Sequence, residues 1–281
     1  MMILKNKTFC ITGGSGFVGS HLIDYLIDNG AFVRTIDKTP DLNLKKKYGD
    51  KINLIVGDIK NIKDIECLIT NDCDGIFHLA AFKYVGLAEK KPTECINSNI
   101  IGTLNILEIS NKYNLDFVLG VSTAASVHNT TYGSTKKIME KLFEENQINN
   151  KLMKFRIIRL GNILGSTGSV SDIWKNSIIE NDDIQISNGE STRFFMDVKE
   201  TIDMIFECLE TETSEPYIPN IKSMSLNNLL NAMLKKYSTQ KINIIVKEVR
   251  NKENNHEKLH ENGPYSNEVE QYTIEEIIKK I

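Results

Sequence analysis

Three side chains in one stretch of the sequence, VSTAASVHNTTYGSTK (121–136), have the types and spacing needed for proton transfer at a hydroxyl-bearing carbon. Tyr132 precedes Lys136 by four residues, so both lie on one face if the segment is helical, and Thr123 lies a short way upstream. A free phenol has a pKa of about 10, too high for a base at neutral pH, but a nearby ammonium group favours the phenolate. Thr123 can hydrogen-bond a substrate oxygen. Alone, such a Tyr–Lys spacing is more typical of an exposed helix surface, so a catalytic role needs support from other parts of the sequence.

A glycine-rich turn near the start of the chain, TFCITGGSGFVGSHL, lies between a predicted strand (8–12) and a predicted helix (17–29). Gly13, Gly16 and Gly19 have the spacing of a dinucleotide-binding turn, in which glycines allow a sharp bend, close approach to the pyrophosphate and close helix packing. The helix N-terminus adds partial positive charge near the phosphates. The sequence therefore predicts a dinucleotide site. Further cofactor contacts are predicted at Ser15, Phe17, Asp58, Ile59, Leu79, Ala80 and Ala81, together with Tyr132 and Lys136.

Asp37 bears on the choice between NAD and NADP. It ends the second predicted strand, where an acid binds the adenine ribose hydroxyls. A carboxylate there repels a 2′-phosphate, which favours NAD over NADP. Arg34 and Lys38 are close in sequence and weaken that preference, because cations attract such a phosphate.

Short apolar runs alternate with helix-length segments through the first half of the chain. Strands are predicted at 8–12, 31–36, 52–56, 75–78, 117–122 and 155–160, and helices at 17–29, 97–113 and 132–145. The alternation predicts an α/β fold with a Rossmann-type doubly wound parallel sheet. We expect a cofactor-binding domain over 1–160 and a smaller nucleotide-sugar lobe over 161–281, interleaved with it. The later part, with short elements and frequent Asn, Ser and Gly, is not expected to form its own core, and residues 251–261 are predicted to be a solvated loop.

Composition narrows the classes of protein. The 281 residues carry 34 Lys and Arg against 37 Asp and Glu, a net charge of −3, which favours neither nucleic acid nor an anionic membrane as a partner. No run of 18 apolar residues occurs and the N-terminus enters a strand directly, so we expect a cytoplasmic protein. The cysteines form no CxxC motif and are predicted to be reduced core residues rather than a disulfide framework or a zinc site. They are Cys10, Cys67, Cys73, Cys95 and Cys208.

Further motifs resemble those of one family. HLAA (78–81) and the Tyr132/Lys136 pair resemble the extended short-chain dehydrogenase/reductases that act on nucleotide sugars. HLAAFKYV, ECINSNIIGT, RLGNILGSTGSV, STRF, YIPNIKSMSL and EKLHE resemble, in this order, motifs of the UDP-N-acetylglucosamine 4,6-dehydratases and related capsule-synthesis enzymes. The resemblance covers nearly the whole chain. It implies an NAD-dependent enzyme that forms a 4-keto sugar, with Tyr132 as acid/base, and a homo-oligomer. It also implies substrate contacts from Lys83, Asn99, Asn162 and Arg193.

One departure from that family concerns the reaction itself. The dehydratases carry Thr-Asp-Lys after the strand that precedes the Tyr, and their Asp and Lys serve the elimination step. Here the residues are Thr123, Ala124 and Ala125, and alanine transfers no proton. General acid–base catalysis is worth about 10²–10⁴-fold per group. We therefore favour an epimerase slightly over a dehydratase that uses Lys83, Ser126 or His128 instead, and a keto-sugar reductase or a non-catalytic nucleotide-sugar-binding relative stays open.

Other departures affect binding. Thr167 replaces a family Arg, which leaves Arg193 as the predicted phosphate or base contact. Arg159 and Asn162 lie where the family contacts the sugar nucleotide. HEKLH (256–260) has the HExxH spacing of zinc proteases. We predict that it binds no metal, because its flanks are polar and Gly263 and Pro264 end any helix early.

Overall fold

The structure, a computed structural model, describes residues 2–113, 115–246 and 255–281. Contacts between backbone segments divide the chain into two compact units. The first contains Met1–Arg159 and Ile202–Pro219, and the second contains Leu160–Thr201 and Asn220–Ile281. Each unit is built from discontinuous stretches of the chain.

The first unit is organised around a six-stranded sheet. Its strands are β1 (Thr8–Thr12), β2 (Phe32–Asp37), β3 (Ile52–Val56), β4 (Gly75–His78), β5 (Phe117–Thr123) and β6 (Lys154–Leu160). The strand order is β3-β2-β1-β4-β5-β6, and every pairing from β3 to β5 is parallel. The predicted Rossmann-type fold is thus confirmed. The order reverses between β1 and β4, and in such sheets ligands bind beyond the carboxyl ends of the strands at this point.

Helices of the first unit follow the predicted alternation. They are α1 (Phe17–Asp28), α2 (Leu42–Tyr48), α3 (Ile62–Leu68), α4 (Val85–Ala88), α5 (Pro92–Ile96), α6 (Gly102–Tyr113) and α7 (Thr131–Asn149). The predicted helix over 97–113 is interrupted, because Asn97–Ile101 forms a π-helical turn before α6 begins. Apolar side chains such as Ile76, Leu107 and Phe143 bury one face of the sheet against these helices.

The strands of the second unit are β7 (Asn162–Ile163), β8 (Ile184–Ile186), β9 (Thr192–Met196), β10 (Ser223–Ser225) and β11 (Ile244–Val246). Its helices are α8 (Val170–Glu180), α10 (Leu226–Tyr237) and α11 (Ile274–Lys280). A further helix, α9 (Val198–Glu210), begins in the second unit and ends in the first. The strands form a three-stranded sheet, β10-β9-β7, and a β11-β8 pair.

The expectation that the later part of the chain lacks its own core was wrong. Trp174, Phe195, Met224 and Leu229 belong to a separate buried apolar cluster of the second unit. Short elements can build this core because α8, α10 and α11 each turn an apolar face toward the same interior.

The predicted solvated loop at 251–261 is only partly described, since Asn251 to Asn254 lie outside the described residues. Of the remainder, Leu259 is buried and His256 forms a β-bridge with Thr192, whereas Asn255, His260 and Glu261 are exposed, so the prediction is wrong only for the middle of this part. Among the residues that the structure describes, no helix has the length and apolar character needed to cross a bilayer.

Candidate active site

The glycine turn between β1 and α1 has the geometry that a dinucleotide needs. Gly13 has a φ of +79°, and a Cβ added there would lie 2.8 Å from the backbone nitrogen of Ala80. A Cβ on Gly19 would lie 2.2 Å from the carbonyl oxygen of Gly13. The N-cap of α1 is Gly16, and no side chain caps the helix there. Backbone N–H groups at this helix start are therefore available to an anion, and the residues present fit a dinucleotide pyrophosphate.

The loop that follows β4 is held beside this turn by buried polar contacts. The hydroxyl of Thr12 bonds Nδ1 of His78 at 2.7 Å and accepts from the backbone N–H of Ala80 at 3.1 Å. Nε2 of His78 bonds the hydroxyl of Thr103 at 3.1 Å. Burial and the charge of Lys136 lower the pKa of His78 to about 3, so the imidazole is neutral. These contacts position Leu79 and Ala80 at the end of β4.

Asp37 lies at the end of β2, and its carboxylate accepts from the backbone N–H of Ser15 at 2.8 Å. Burial raises the pKa of Asp37, while hydrogen bonds from the turn oppose that shift. The two cations that weakened the preference for NAD are both engaged elsewhere. Lys38 pairs with Asp58 at 3.0 Å, and Arg34 donates to the carbonyl oxygens of Leu68 and Cys67 at 2.9 and 2.8 Å.

Two other predicted cofactor residues have roles within the first unit. Ile59 is only 7% exposed and packs against Gly102, where an added Cβ would come within 2.6 Å of its Cδ1 atom. The carboxylate of Asp58 is shared between Lys38 and Lys60, at 3.0 and 3.3 Å. The side chain of Ile59 thus supports the sheet from within the core.

Tyr132 is the second residue of α7 and is hydrogen-bonded to Thr123 at the end of β5. Burial raises the pKa of Tyr132 to about 12, and the bond to Thr123 opposes the rise. The sequence suggested the opposite direction, because Lys136 was expected to favour the phenolate. In the structure the ammonium group of Lys136 instead donates to the carbonyl oxygen of Val121 at 2.8 Å.

Lys136 is 5% exposed, and burial lowers its pKa to about 8 while Glu140 opposes the shift. Its ammonium group is therefore mostly charged at pH 7 and loses its proton as the pH rises through about 8. The side chains of Thr123, Tyr132 and Lys136 converge where β5 meets α7, as the spacing in the sequence suggested.

A buried ion pair that the sequence did not reveal lies one turn further along α7. Glu140 is fully buried and accepts from Nε of Arg159 at 2.7 Å, from its terminal nitrogen at 2.8 Å and from the hydroxyl of Ser122 at 2.7 Å. Arg159 was predicted to contact a sugar nucleotide, but it is 2% exposed and holds β6 to α7. In the sequence, the only indication of this pair was a Glu eight residues after Tyr132, on the same predicted helix.

Asn99 lies within the π-helical turn, a feature often found at functional sites. Its carbonyl oxygen accepts from the backbone N–H of Phe82 at 2.8 Å, and its amide nitrogen donates to Phe82 and Thr135 at 3.1 and 3.0 Å. Asn99 is 1% exposed, so its amide connects the loop before Lys83 to α7 rather than facing a ligand. The Lys83 ammonium group lies 5.6 Å from the centroid of the exposed Tyr84 ring.

In the second unit, Asn162 and Arg193 meet at Glu257. The amide nitrogen of Asn162 donates to Oε1 of Glu257 at 2.9 Å, the backbone N–H of Phe194 donates to the same oxygen at 2.8 Å, and Nε of Arg193 lies 3.9 Å from Oε2. Burial raises the pKa of Glu257 to about 7, against the effect of Arg193 and these donors. The motif EKLHE contains Glu257, but only the fold brings it to the two predicted residues.

HEKLH is extended rather than helical in the structure. His256 forms a β-bridge with Thr192 and its Nδ1 bonds the Thr192 hydroxyl at 2.8 Å, while Lys258 forms a bridge with Tyr265. The two imidazoles therefore lack the shared helix face that an HExxH zinc site requires.

A doubly wound sheet with a glycine turn after β1 and a Tyr–Lys pair after β5 defines an extended short-chain dehydrogenase/reductase. Comparison with known proteins narrows this class to enzymes of the nucleotide-sugar epimerase/dehydratase type. The chain belongs to the family described as "Polysaccharide biosynthesis protein", whose model matches residues 9–279.

Three curated relatives illustrate the range of this family. "Uncharacterized membrane protein MJ1061" of Methanocaldococcus jannaschii is 27% identical, covering 97% of this chain and 84% of its own. A UDP-N-acetylglucosamine 4,6-dehydratase (inverting) of Campylobacter jejuni is 28% identical, covering 86% and 75%. A UDP-glucose 4-epimerase of Rickettsia bellii is 31% identical, covering 73% and 63%.

Solved structures share the fold at lower identity. Pen from Bacillus thuringiensis matches with a TM-score of 0.90 at 24% identity, over 99% of this chain and 97% of the other. A UDP-N-acetylglucosamine 4-epimerase of Methanobrevibacter ruminantium, in complex with UDP-N-acetylmuramic acid, matches at 0.79 and 21%, over 98% and 97%. A Thermus thermophilus UDP-glucose 4-epimerase in complex with NAD matches at 0.77 and 17%, over 88% of each chain.

Proposed function

We propose that this protein is an NAD-dependent epimerase that inverts carbon 4 of a nucleotide sugar, a UDP-N-acetylhexosamine, through a 4-keto intermediate. The observation that carries the proposal is the segment between β5 and α7. Ala124 and Ala125 begin a short 3₁₀ turn there, at the positions where the resemblance puts the Asp and Lys of the dehydratases. Epimerisation needs no second acid/base pair, whereas elimination does.

A 4,6-dehydratase is the second candidate, supported by the motif series and by the Campylobacter relative. It requires other groups to move the two protons of the elimination. Ser126 is one, since it is 6% exposed and its hydroxyl has no hydrogen-bond partner among the described residues. Lys83 and His128 are the others.

The proposed roles follow from the geometry at the end of β5. Tyr132 exchanges a proton with the 4-hydroxyl of the sugar, and Thr123, bonded to Tyr132, orients that hydroxyl. Lys136 stays charged below a pH of about 8 and supplies the positive charge that favours the tyrosinate once the site is filled. NAD, when bound, supplies a hydride acceptor and donor at its nicotinamide. Gly13, Gly16, Gly19 and the start of α1 bind its pyrophosphate.

We propose NAD rather than NADP because a carboxylate, Asp37, is the charged group at the end of β2. Lys38 pairs with Asp58 and Arg34 donates to main-chain carbonyls, which weakens the attraction of either cation for a 2′-phosphate. The Thermus epimerase that shares the fold is in complex with NAD, which is consistent with this choice. The nucleotide released from heat-denatured protein identifies the cofactor by mass, and recovery of NADP would contradict the proposal.

Three residues are proposed as substrate contacts. Lys83 follows the loop after β4, while Asn162 and Arg193 flank Glu257 in the second unit. Arg193 offers a guanidinium group to a diphosphate. The functional division into cofactor binding by 1–160 and sugar binding by 161–281, the homo-oligomer and the cytoplasmic location are part of the same proposal.

The test is to incubate the protein with UDP-GlcNAc in deuterated water and to follow the sugar by NMR. A C4-inverted hexosamine without solvent deuterium supports the epimerase, because the same hydrogen leaves and returns to carbon 4. A 6-deoxy-4-keto product that carries deuterium contradicts it and supports the dehydratase. If no reaction occurs, the same assay with UDP-glucose and with an added 4-keto sugar plus NADH separates a different sugar and a reductase from a binding protein without activity.

A further inference from the structure

We infer that Cys10 and Cys73 form a redox-active dithiol that a peroxide converts to an intramolecular disulfide. Cys10 lies in the middle of β1 and Cys73 lies two residues before β4. Their Sγ atoms are 3.1 Å apart. A disulfide bond is about 2.05 Å long, so the sulfurs need to approach by only about 1 Å. The inference does not depend on the proposed sugar chemistry.

Hydrogen bonds make Cys73 the nucleophile of the pair. Its sulfur accepts from the Cys10 thiol and from the backbone N–H of Thr70, the latter at 3.4 Å. The Thr70 hydroxyl also lies 3.4 Å from this sulfur and itself donates to the Asp72 carboxylate. The contacts with Cys10 and Thr70 lower the pKa of Cys73 to about 6, against the opposing effects of burial and of the Asp72 carboxylate. Burial raises the pKa of Cys10 well above its ordinary value, so Cys10 keeps its proton. Such a thiolate beside a protonated thiol is the arrangement of an attacking and a resolving cysteine.

The two cysteines also differ in access. Cys73 is 8% exposed and follows the exposed residues Asn71 and Asp72, whereas Cys10 is fully buried. A small oxidant therefore reaches Cys73 first. The Arg34 guanidinium group, bonded to the carbonyl oxygen of Leu68, adds positive charge near Cys10, while the Asp72 carboxylate raises the pKa of both cysteines.

The reaction balances with hydrogen peroxide as the oxidant. The Cys73 thiolate attacks one peroxide oxygen, the O–O bond breaks, and hydroxide leaves as a sulfenic acid forms. The Cys10 sulfur then attacks the Cys73 sulfur, the S–S bond forms, the S–O bond breaks, and the oxygen leaves as water with the Cys10 proton. Overall, two thiols and one peroxide give a disulfide and two waters, and a dithiol reductant reverses the oxidation.

The other cysteines serve as internal references. Cys208 is buried and its pKa is raised to about 12, so it is a poor nucleophile. Cys95 is buried beside Asn99 and Thr135. Cys67 is exposed but lies on α3, and can react only as an isolated surface thiol.

The test treats the full reduced chain with one equivalent of hydrogen peroxide at pH 7, followed by alkylation and peptide mass spectrometry without reduction. We expect a linked Cys10–Cys73 peptide, two hydrogens lighter than the two free peptides, which dithiothreitol removes. Its thermal unfolding midpoint should rise by several degrees, because the link constrains the unfolded chain. The link should be absent in Cys73→Ser and in Cys10→Ala and unchanged in Cys67→Ser.

Two results would overturn the inference. One is oxidation of Cys73 to a sulfinic acid with Cys10 still alkylated, which would mean that the sulfurs do not meet. The other is oxidation of Cys67 while Cys73 stays reduced, which would mean that Cys73 is not a thiolate. If Cys10→Ala fails to fold, the wild-type chain and Cys67→Ser decide, since the linked peptide is read from them directly.

Discussion

Arg159 and Glu140 form a two-pronged ion pair in the interior of the first unit, with N–O distances of 2.7 and 2.8 Å. The pair joins β6 to α7, the helix that carries Tyr132 and Lys136. Ser122, next to Thr123 on β5, donates to the same carboxylate. One buried charge therefore connects three elements around the proposed catalytic residues.

Removal of the arginine from this pair should destabilise the protein severely. Arg159→Met leaves the Glu140 carboxylate buried without its main partner, which typically costs about 3–5 kcal/mol. Urea unfolding monitored by circular dichroism measures the change. The double variant Arg159→Met/Glu140→Leu removes both charges and should recover most of the loss. Equal stability of the single and double variants would show that the unpaired carboxylate is not the cause.

Neutralising Glu140 should shift the pH dependence of turnover. Glu140 raises the pKa of Lys136, which burial has lowered to about 8. Without that negative charge the pKa falls further, so Lys136 loses its proton at lower pH and the alkaline limb of the activity profile moves to lower pH in Glu140→Gln. Glu144→Gln, on the same helix but paired with Lys141, is the control. If the alkaline limb of the activity profile does not move in Glu140→Gln, deprotonation of Lys136 is not the cause of that limb.

Tyr132→Phe should lower turnover by about 10²–10⁴-fold, because the proton acceptor is removed while the ring remains. The NMR assay for the C4-inverted sugar measures the loss, and an unchanged unfolding midpoint shows that the fold is kept. Tyr113→Phe, at the end of α6, controls for loss of a phenol as such and should retain activity. Full turnover by Tyr132→Phe would exclude Tyr132 as acid/base.

Gly19→Ala should reduce the amount of dinucleotide that copurifies with the protein. The added methyl group would meet the carbonyl oxygen of Gly13 at 2.2 Å, so the turn has to open. Gly86→Ala is the matched control, since nothing lies within 4 Å of a Cβ there. The ratio of absorbance at 260 and 280 nm, with mass analysis of released nucleotide, gives the content. The same content in both variants would place the pyrophosphate elsewhere.

Glu257 should make stability fall between about pH 4.5 and pH 7. Its pKa is raised from 4.5 to about 7 in the folded state, so the folded protein holds a proton that the unfolded chain releases in this range. The contribution is complete below pH 4.5 and is lost as the pH rises through 7, by up to about 3 kcal/mol. Urea unfolding at pH 5 and pH 7.5 should show a smaller decrease in Glu257→Gln. The exposed Glu275→Gln should behave as wild type.

Local patterns were enough to predict the sheet and the central residues of the site. The strands from β1 to β6 follow from apolar runs, and the glycine turn and the Tyr132/Lys136 spacing follow from positions close together in the chain. Residues such as Thr123 and Tyr132 meet because a short turn leads from a strand directly into a helix.

Tertiary structure decided what distant residues do to each other. The sequence identified Arg159 as a ligand contact, yet its partner, Glu140, lies 19 positions away on another element. Glu257 meets Asn162 across 95 positions, and Cys10 meets Cys73 across 63. The pKa values of these groups depend on burial and on partners brought together by packing, which no local pattern encodes. The sequence by itself therefore determined the strands, the helices and the glycine turn, because these depend on residues close together in the chain. The protonation states and the pairings came from the fold, since charge and desolvation act through space.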